Sequence, residues 1–213
     1  MGYRLISPTR KLKSTSTIEQ IKMPQPHVIV IGGPNGAGKS TIAPLVLRDY
    51  LAIPDFVNAD QIAAGLSAFN PEGAAFEAGR IMLRRLHELA GSGKSFAFES
   101  TLSSRTFAVF LTKLKAQGYR VDLCYVWLNS VALAQERVTL RVRMGGHDIA
   151  PEVIARRYAR SVQNFRSLYL PIADKWSVFD NSETTNPQLI AEGEAGVQDE
   201  IYEEASWNKI QSI

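Results

Sequence analysis

The sequence predicts an α/β fold in which a parallel sheet of about five strands is flanked by helices. Apolar segments of strand length alternate with segments whose apolar residues recur at helical spacing, and no hairpin turn signals separate them. The first strand segment, residues 28–31, is an unbroken run of valine and isoleucine, which is typical of a parallel strand buried on both faces. At 213 residues the chain can enclose one core of ordinary size.

The elements are expected in a regular order along the chain. The expected strands are residues 28–31, 52–60, 95–99, 121–128 and 176–180, with 189–191 as an edge strand, and the expected helices are residues 41–48, 61–67, 71–90, 106–117, 131–143, 152–169 and 198–210. Residues 26–213 are therefore expected to form one domain. Residues 1–25 are polar, basic and interrupted by prolines, which predicts an N-terminal arm that is either flexible or packed on the domain.

The turn after the first strand carries a phosphate-binding pattern. Gly33 to Ser40 fits GxxxxGK[ST], with a strand before it and a helix after it. Glycines let backbone N–H groups turn toward a phosphate, Lys39 offers positive charge to the β- and γ-phosphates of ATP, and the Ser40 hydroxyl can bind Mg²⁺. Because Lys39 is expected to face phosphate or solvent, its replacement should cost little stability. The pattern predicts a P-loop NTPase-like fold whose ATP site comprises Gly33, Pro34, Asn35, Gly36, Ala37, Gly38, Lys39, Ser40 and Thr41.

Two carboxylates are expected at the carboxyl ends of the second and third strands, where ligands collect in open α/β sheets. Asp60 is the candidate for the base that takes the proton of an acceptor hydroxyl. The alternatives for Asp60 are a carboxylate near the metal or an N-cap for a helix that begins at Gln61. Glu99 is the candidate for holding a Mg²⁺-bound water, and its alternative is a buried acid paired with an arginine.

Residues 136–158 carry five arginines around a Gly-Gly break. Two helices hinged at glycines predict an arginine-rich helical lid that closes over the phosphates, and the alternative is a pair of salt-bridged surface helices. Arg137 and Arg141 are expected on one face of the first helix. His147, at the break, is expected to brace the lid rather than to act as an acid or a ligand.

Composition limits the classes of function. The net charge of +3 is mild and argues against nucleic acid as a partner. No apolar run approaches the roughly 18 residues that a membrane span needs, and no signal peptide is recognisable, so a cytoplasmic location is expected. The single cysteine, Cys124, lies in an apolar strand and is expected to be a buried, inert thiol.

Together these motifs resemble the zeta toxin family of P-loop kinases, in its short form. The resemblance covers about residues 27–182. It rests on the phosphate loop, Val57-Asn-Ala-Asp60, Phe96-Ala-Phe-Glu-Ser-Thr101, the arginine-rich segment with Gly145-Gly-His147, and Phe179-Asp-Asn-Ser182, in the order of the family.

The resemblance implies a role for each candidate residue. It implies that Asp60 activates the acceptor, that Glu99 and Thr101 contribute to the substrate and metal side, and that Arg141 and Arg157 hold the transferring phosphate. It also implies ATP with Mg²⁺ and a small hydroxyl-bearing acceptor, which in the best-known members is the nucleotide sugar UDP-N-acetylglucosamine. A separate antitoxin protein is implied as a potential partner.

The motifs thus predict a small-molecule kinase, a phosphotransferase that acts on an alcohol group. The acceptor could also be a nucleoside or a dinucleotide. An NTP hydrolase or switch protein is the main rival, but it usually needs an aspartate at the end of a strand beside the metal, and the fourth strand ends Val126-Trp-Leu128 without one. A nucleic-acid-binding module is the third hypothesis, which the modest charge disfavours.

Overall fold

The computed structural model of the protein describes residues 25–49, 53, 55–67, 71–146, 148–183 and 186–213. The expected N-terminal arm, apart from Gln25, and the expected brace His147 lie outside these residues. The described elements are β1 His27–Gly32, α1 Lys39–Asp49, β2 Phe56–Val57, α2 Ala59–Leu66, α3 Pro71–Gly91, β3 Phe96–Ser100, α4 Thr106–Ala116, β4 Arg120–Trp127, α5 Val131–Arg143, α6 Pro151–Asn164, β5 Lys175–Asp180, β6 Gln188–Glu194, β7 Glu200–Ile201 and α7 Glu204–Ser212.

Within the described part of the chain, seven strands form one sheet in the order β2-β3-β1-β4-β5-β6-β7. The first five strands pair in parallel, which confirms the α/β fold class. β1 lies between β3 and β4, and its residues 28–31 are at most 1% exposed. Both faces of the central strand are therefore covered, as its unbroken apolar run predicts.

One edge of the sheet differs from the prediction. β6 runs antiparallel to β5, and β7 runs antiparallel to β6. A turn through Gly196, whose φ is +83°, joins β6 to β7. Because Glu200–Ile201 pairs with β6, the last helix begins at Glu204 and not near Gln198. This glycine, which supplies a backbone angle that other residues rarely adopt, is a hairpin signal that the sequence prediction missed.

Helix α1 also begins earlier than expected. It starts at Lys39, directly after the phosphate loop, and not at Thr41. Pro44 is consequently the sixth helical residue, in the second turn of α1. Proline has no N–H, so the carbonyl of Ser40 receives no helical hydrogen bond from this position.

The core lies between the sheet and the predicted apolar faces of the helices. The stripe of α3, made of Ala78, Met82, Leu86 and Leu89, is at most 3% exposed. Full burial of a leucine or methionine side chain contributes about 1.5–3 kcal/mol to stability. The predicted helix 152–169 is regular to Asn164 and ends in a π-helical turn, Phe165–Tyr169.

Cys124 is buried in β4, as predicted. Burial raises the pKa of its thiol to about 12, so the nucleophilic thiolate form is suppressed. Among the described residues, no helix combines the length and the apolar character that crossing a bilayer would require.

Candidate active site

Three glycines shape the phosphate loop between β1 and α1. Gly33, Gly36 and Gly38 have φ angles of +144°, +78° and +83°. A Cβ atom on Gly33 would lie 2.1 Å from the carbonyl oxygen of Val126, and one on Gly36 would lie 2.7 Å from that of Ala134. Backbone angle and available space both require glycine, so the sequence folds here into a preformed cradle at a helix N-terminus.

The segment after β5 braces this loop. The Asn181 side chain donates a hydrogen bond from Nδ2 to the carbonyl of Ala37 at 2.8 Å. Arg137 donates to the carbonyls of Asn181 and Ser182 at 2.6 and 3.0 Å. Asn181 and Ser182 were indicated from the sequence only by the family resemblance, and no local pattern predicts that they support the phosphate loop.

Lys39 is buried, with 7% of its surface exposed. Its Nζ atom donates to the carbonyl of Pro34 at 3.0 Å and lies 3.6 Å from Glu99 Oε1. Burial lowers the pKa of Lys39, while the carboxylates of Glu99 and Asp60 oppose that shift and Arg141 adds to it. Because removal of Lys39 would leave a buried carboxylate without its cation, we expect its replacement to cost stability, contrary to the expectation from the sequence.

Glu99 lies near the carboxyl end of β3, as predicted. Its Oε2 atom accepts hydrogen bonds from Ser40 Oγ at 2.7 Å and from Asn58 Nδ2 at 2.8 Å, while Oε1 faces Lys39. The alternative of an arginine partner is wrong, since the paired cation is a lysine. A hydroxyl and a carboxylate in contact are the hard oxygen ligands that Mg²⁺ prefers, and Mg²⁺ on a nucleotide needs only one or two protein ligands.

Asp60 lies in the first turn of α2, because β2 ends at Val57 and Asn58 turns the chain into the helix. Asn58 is the N-cap, and its side chain accepts a hydrogen bond from the Asp60 N–H at 2.8 Å. The alternative that Asp60 itself caps a helix is thus wrong. The Asp60 side chain is 63% exposed, and its Oδ2 atom lies 3.9 Å from Arg141 Nη1.

Helices α5 and α6 direct three arginines into the same cleft: Arg137, Arg141 and Arg157. Arg143 and Arg156, the other two arginines of residues 136–158, are exposed and do not line it. The arrangement favours a lid that supplies cationic groups to a phosphate over a pair of salt-bridged surface helices.

The cleft has a volume of about 650 Å³. A second part of its lining, the α3 wall, comes from α3 and from the loop after β3, and it includes Phe76, Arg80, Thr101 and Ser103. Phe76 is 82% exposed at this wall. Arg80 lines the cleft as well. The space is sufficient for the phosphates of a nucleotide and a small second molecule.

Most of the predicted site residues meet in this cleft. Those that line it are Asn35, Gly36, Gly38, Lys39, Ser40, Thr41, Asp60, Glu99, Thr101, Arg141 and Arg157. Gly33, Pro34 and Ala37 belong to the same loop but do not line the cleft. The sequence prediction missed the contribution of Asn58, although it lies in the segment Val57 to Asp60 that carried part of the resemblance.

The residues present fit Mg·ATP. The glycine cradle matches a phosphate chain, and the Ser40 and Glu99 oxygens match Mg²⁺. The buried Oδ1 atom of Asn35, in the same loop, has no hydrogen-bond partner among the residues that the structure describes. A buried polar atom without a partner at a cleft is consistent with a site built for a ligand.

The protein is an ATP-binding P-loop phosphotransferase. This class is defined by the parallel sheet, the phosphate loop after its central strand and the charged groups around that loop. Within that class the chain belongs to the zeta toxin family, because the family model described as Zeta toxin matches residues 10–187.

Individual proteins are similar to this chain in sequence or in fold. An uncharacterised protein of Haemophilus influenzae is 33% identical over 136 residues, which cover 63% of this chain and 94% of that protein. The crystal structure of the AvrRxo1-ORF1:AvrRxo1-ORF2 complex with sulphate ions superposes with a TM-score of 0.70 at 17% identity, over 87% of this chain and 63% of that one. The chain thus spans less than two thirds of that structural relative. The PezAT toxin–antitoxin system of Streptococcus pneumoniae gives a TM-score of 0.61 at 16% identity, over 92% of this chain and 81% of that one.

Proposed function

We propose that this chain transfers the γ-phosphate of ATP to a hydroxyl group of a small acceptor, such as a nucleotide sugar, with Asp60 as the general base. The observation that carries the proposal is the meeting of Asp60 and Arg141, 3.9 Å apart, close enough to Lys39 for both to act on its pKa. A carboxylate and a guanidinium beside a phosphate loop suit a proton acceptor and a charge stabiliser around one transferring phosphoryl group.

In the proposed step the acceptor oxygen bonds to the γ-phosphorus, and the bond from that phosphorus to the β,γ-bridging oxygen breaks. The proton of the hydroxyl passes to the Asp60 carboxylate, which is exposed toward the space where an acceptor would lie. Lys39 and the loop N–H groups hold the phosphate oxygens, while Arg141 and Arg157 stabilise the charge that develops. Ser40 and Glu99 would hold Mg²⁺, which when bound neutralises charge on the β- and γ-phosphates.

Membership of the zeta toxin family supports a nucleotide sugar as the acceptor. The α3 wall agrees with a polar molecule that carries a ring, because it combines the aromatic Phe76 with the hydroxyls of Thr101 and Ser103. Glu99 and Thr101 are the proposed substrate contacts on this side. Nucleosides and dinucleotides are the alternative acceptors, and a transfer screen with radiolabelled ATP over all three classes distinguishes them.

Asp60→Asn tests the base. The variant keeps the shape of the side chain but cannot take a proton, so transfer should fall by roughly 10²–10⁴-fold while ATP affinity stays near that of the wild type. The measurement is phosphate transfer together with calorimetric ATP binding. Glu204→Gln, which also alters an exposed carboxylate in the first turn of a helix, is the matched control. Wild-type transfer by Asp60→Asn would exclude Asp60 as the base, and ADP production by the wild type without any acceptor would favour a hydrolase.

The lid arginines give a second test. Arg141→Ala and Arg157→Ala should each slow transfer by on the order of 10²–10³-fold, because both guanidinium groups are proposed to contact the transition state. Arg143→Ala and Arg160→Ala are matched controls, since these exposed arginines lie on the same two helices outside the cleft. Transfer rates equal to that of the wild type in all four variants, with only small shifts in melting temperature, would mean that Arg141 and Arg157 are surface residues without a role in transfer.

A separate antitoxin protein is the proposed macromolecular partner. The support is family membership together with the structural likeness to the PezAT toxin–antitoxin system. If the kinase is a toxin, its expression in a bacterial host should arrest growth, and Asp60→Asn should remove the arrest at the same expression level. Normal growth with active wild-type kinase would separate the enzyme activity from a toxin role.

A further inference from the structure

Asn58 connects the two halves of the site through a single side chain. It is 5% exposed and lies between the end of β2 and the start of α2. Its Nδ2 atom donates to Glu99 Oε2 at 2.8 Å and approaches Ser40 Oγ at 3.4 Å. Its Oδ1 atom accepts from the backbone N–H of Asp60 at 2.8 Å. The metal-side residues and the helix turn that carries the proposed base are therefore joined by one amide.

Only a side chain with both a donor and an acceptor can make this connection. The Glu99 carboxylate needs a donor, and the N–H at the start of α2 needs an acceptor, so the two contacts fix which way the amide points. An aspartate would cap the helix equally well, but it would place a second carboxylate against Glu99. A serine can cap the helix by accepting from the Asp60 N–H. Asn58 uses two different atoms for its two contacts, and the single hydroxyl of a serine cannot occupy both positions.

We propose that Asn58 is a positioning residue for phosphoryl transfer, one that orients Glu99 and Ser40 toward Mg²⁺ and sets the placement of Asp60 relative to them. The inference rests on the proposed kinase function for its Asp60 half. Its Glu99 half concerns Mg·ATP binding alone. Hydrogen-bond partners that orient metal ligands typically change metal affinity or activity by about 10–100-fold when they are removed.

Two substitutions separate the two contacts. Asn58→Ser keeps an acceptor for the Asp60 N–H and loses the donor to Glu99, whereas Asn58→Ala loses both. Asn58→Ser should weaken the binding of a non-hydrolysable ATP analogue by about 10–100-fold in Mg²⁺, with unchanged affinity in EDTA because the phosphate loop is intact. Asn58→Ala should show the same loss in Mg²⁺, a lower melting temperature and a further fall in kcat, because the turn that carries Asp60 loses its cap.

The decisive experiment is calorimetric titration of the ATP analogue with and without Mg²⁺, in parallel with kcat and KM for transfer and with melting temperature. Glu203→Ala is the control for losing a cap alone, because Glu203 caps α7 through two backbone N–H groups and neither Glu203 nor any residue of α7 lines the cleft. It should lower the melting temperature and leave Mg²⁺ dependence and kcat unchanged.

The outcomes are distinct. Wild-type Mg²⁺ dependence in Asn58→Ser would overturn the proposal, and so would an Asn58→Ala variant that differs from the wild type only in melting temperature. If Asn58→Ala does not fold, the serine variant alone decides the Glu99 half. If the wild type hydrolyses ATP without transferring phosphate, the proposed kinase function fails, but the calorimetric comparison still tests Asn58.

Discussion

Removing the charge of Lys39 tests whether its ion pair with Glu99 holds the phosphate site together. The two charged groups are 3.6 Å apart, and their side chains are 8% and 9% exposed. At an effective dielectric constant of about 20, unit charges at this separation attract by about 4–5 kcal/mol. Burying each ion costs several kcal/mol, so the attraction and the desolvation cost of the pair nearly cancel. When one partner is removed, the other keeps its desolvation cost without the compensating attraction.

Lys39→Met keeps most of the side-chain volume and leaves Glu99 without its cation. Breaking a buried pair in this way typically costs about 3–5 kcal/mol. Glu99 retains its hydrogen bonds from Ser40 and Asn58, so we expect a smaller loss in the free energy of unfolding, about 2–3 kcal/mol. For a domain of this size that corresponds to a decrease of about 4–12 °C in melting temperature.

Urea denaturation of the wild type, Lys39→Met, Glu99→Gln and the double variant gives the coupling energy directly. We expect a favourable coupling of about 1–3 kcal/mol, with the double variant more stable than Lys39→Met alone. Lys113→Met is the control, because Lys113 is exposed near the end of α4 and should change stability by less than about 0.5 kcal/mol. A Lys39→Met protein as stable as the wild type, with no coupling to Glu99, would refute the pairing argument.

Two further predictions concern backbone geometry and acid stability. Gly33→Ala should abolish ATP binding in calorimetry and lower the free energy of unfolding by at least about 2 kcal/mol in denaturation, because the new Cβ would lie 2.1 Å from a β4 carbonyl oxygen. Gly91→Ala is the control, since its Cβ meets open space and should change neither measurement. Burial alone would raise the pKa of Asp174, but the Val121 N–H and the Lys115 ammonium hold it below its ordinary 3.8. The ionised carboxylate therefore stabilises the fold above that pH, and this stabilisation is lost as the pH falls below it. In urea denaturation, Asp174→Asn should lower the free energy of unfolding by about 1–2 kcal/mol at pH 7 and by less at pH 3. An equal loss at both pH values would contradict this.

The phosphate loop and the parallel direction of the first five strands could be predicted because their causes are local. The glycines of the loop determine its backbone angles, and the lysine and serine that follow supply its chemistry. An unbroken apolar run predicts a strand that is buried on both faces. The buried stripe of α3 followed from helical spacing in the same way. The carboxyl ends of parallel strands share one edge of the sheet, so the sequence alone predicts that Glu99 lies beside the loop.

Only the tertiary structure decided how the charged groups are paired. Ser40 and Glu99 are 59 residues apart in the chain, and Asn58 and Glu99 are 41 apart, yet all three share one hydrogen-bond network. The cation beside Glu99 proved to be a lysine, and the cap of α2 proved to be Asn58 and not Asp60. Sequence spacing fixes which residues share a strand or a helix face. Which of several similar side chains meet across elements depends on how those elements pack, and packing is set by the whole core.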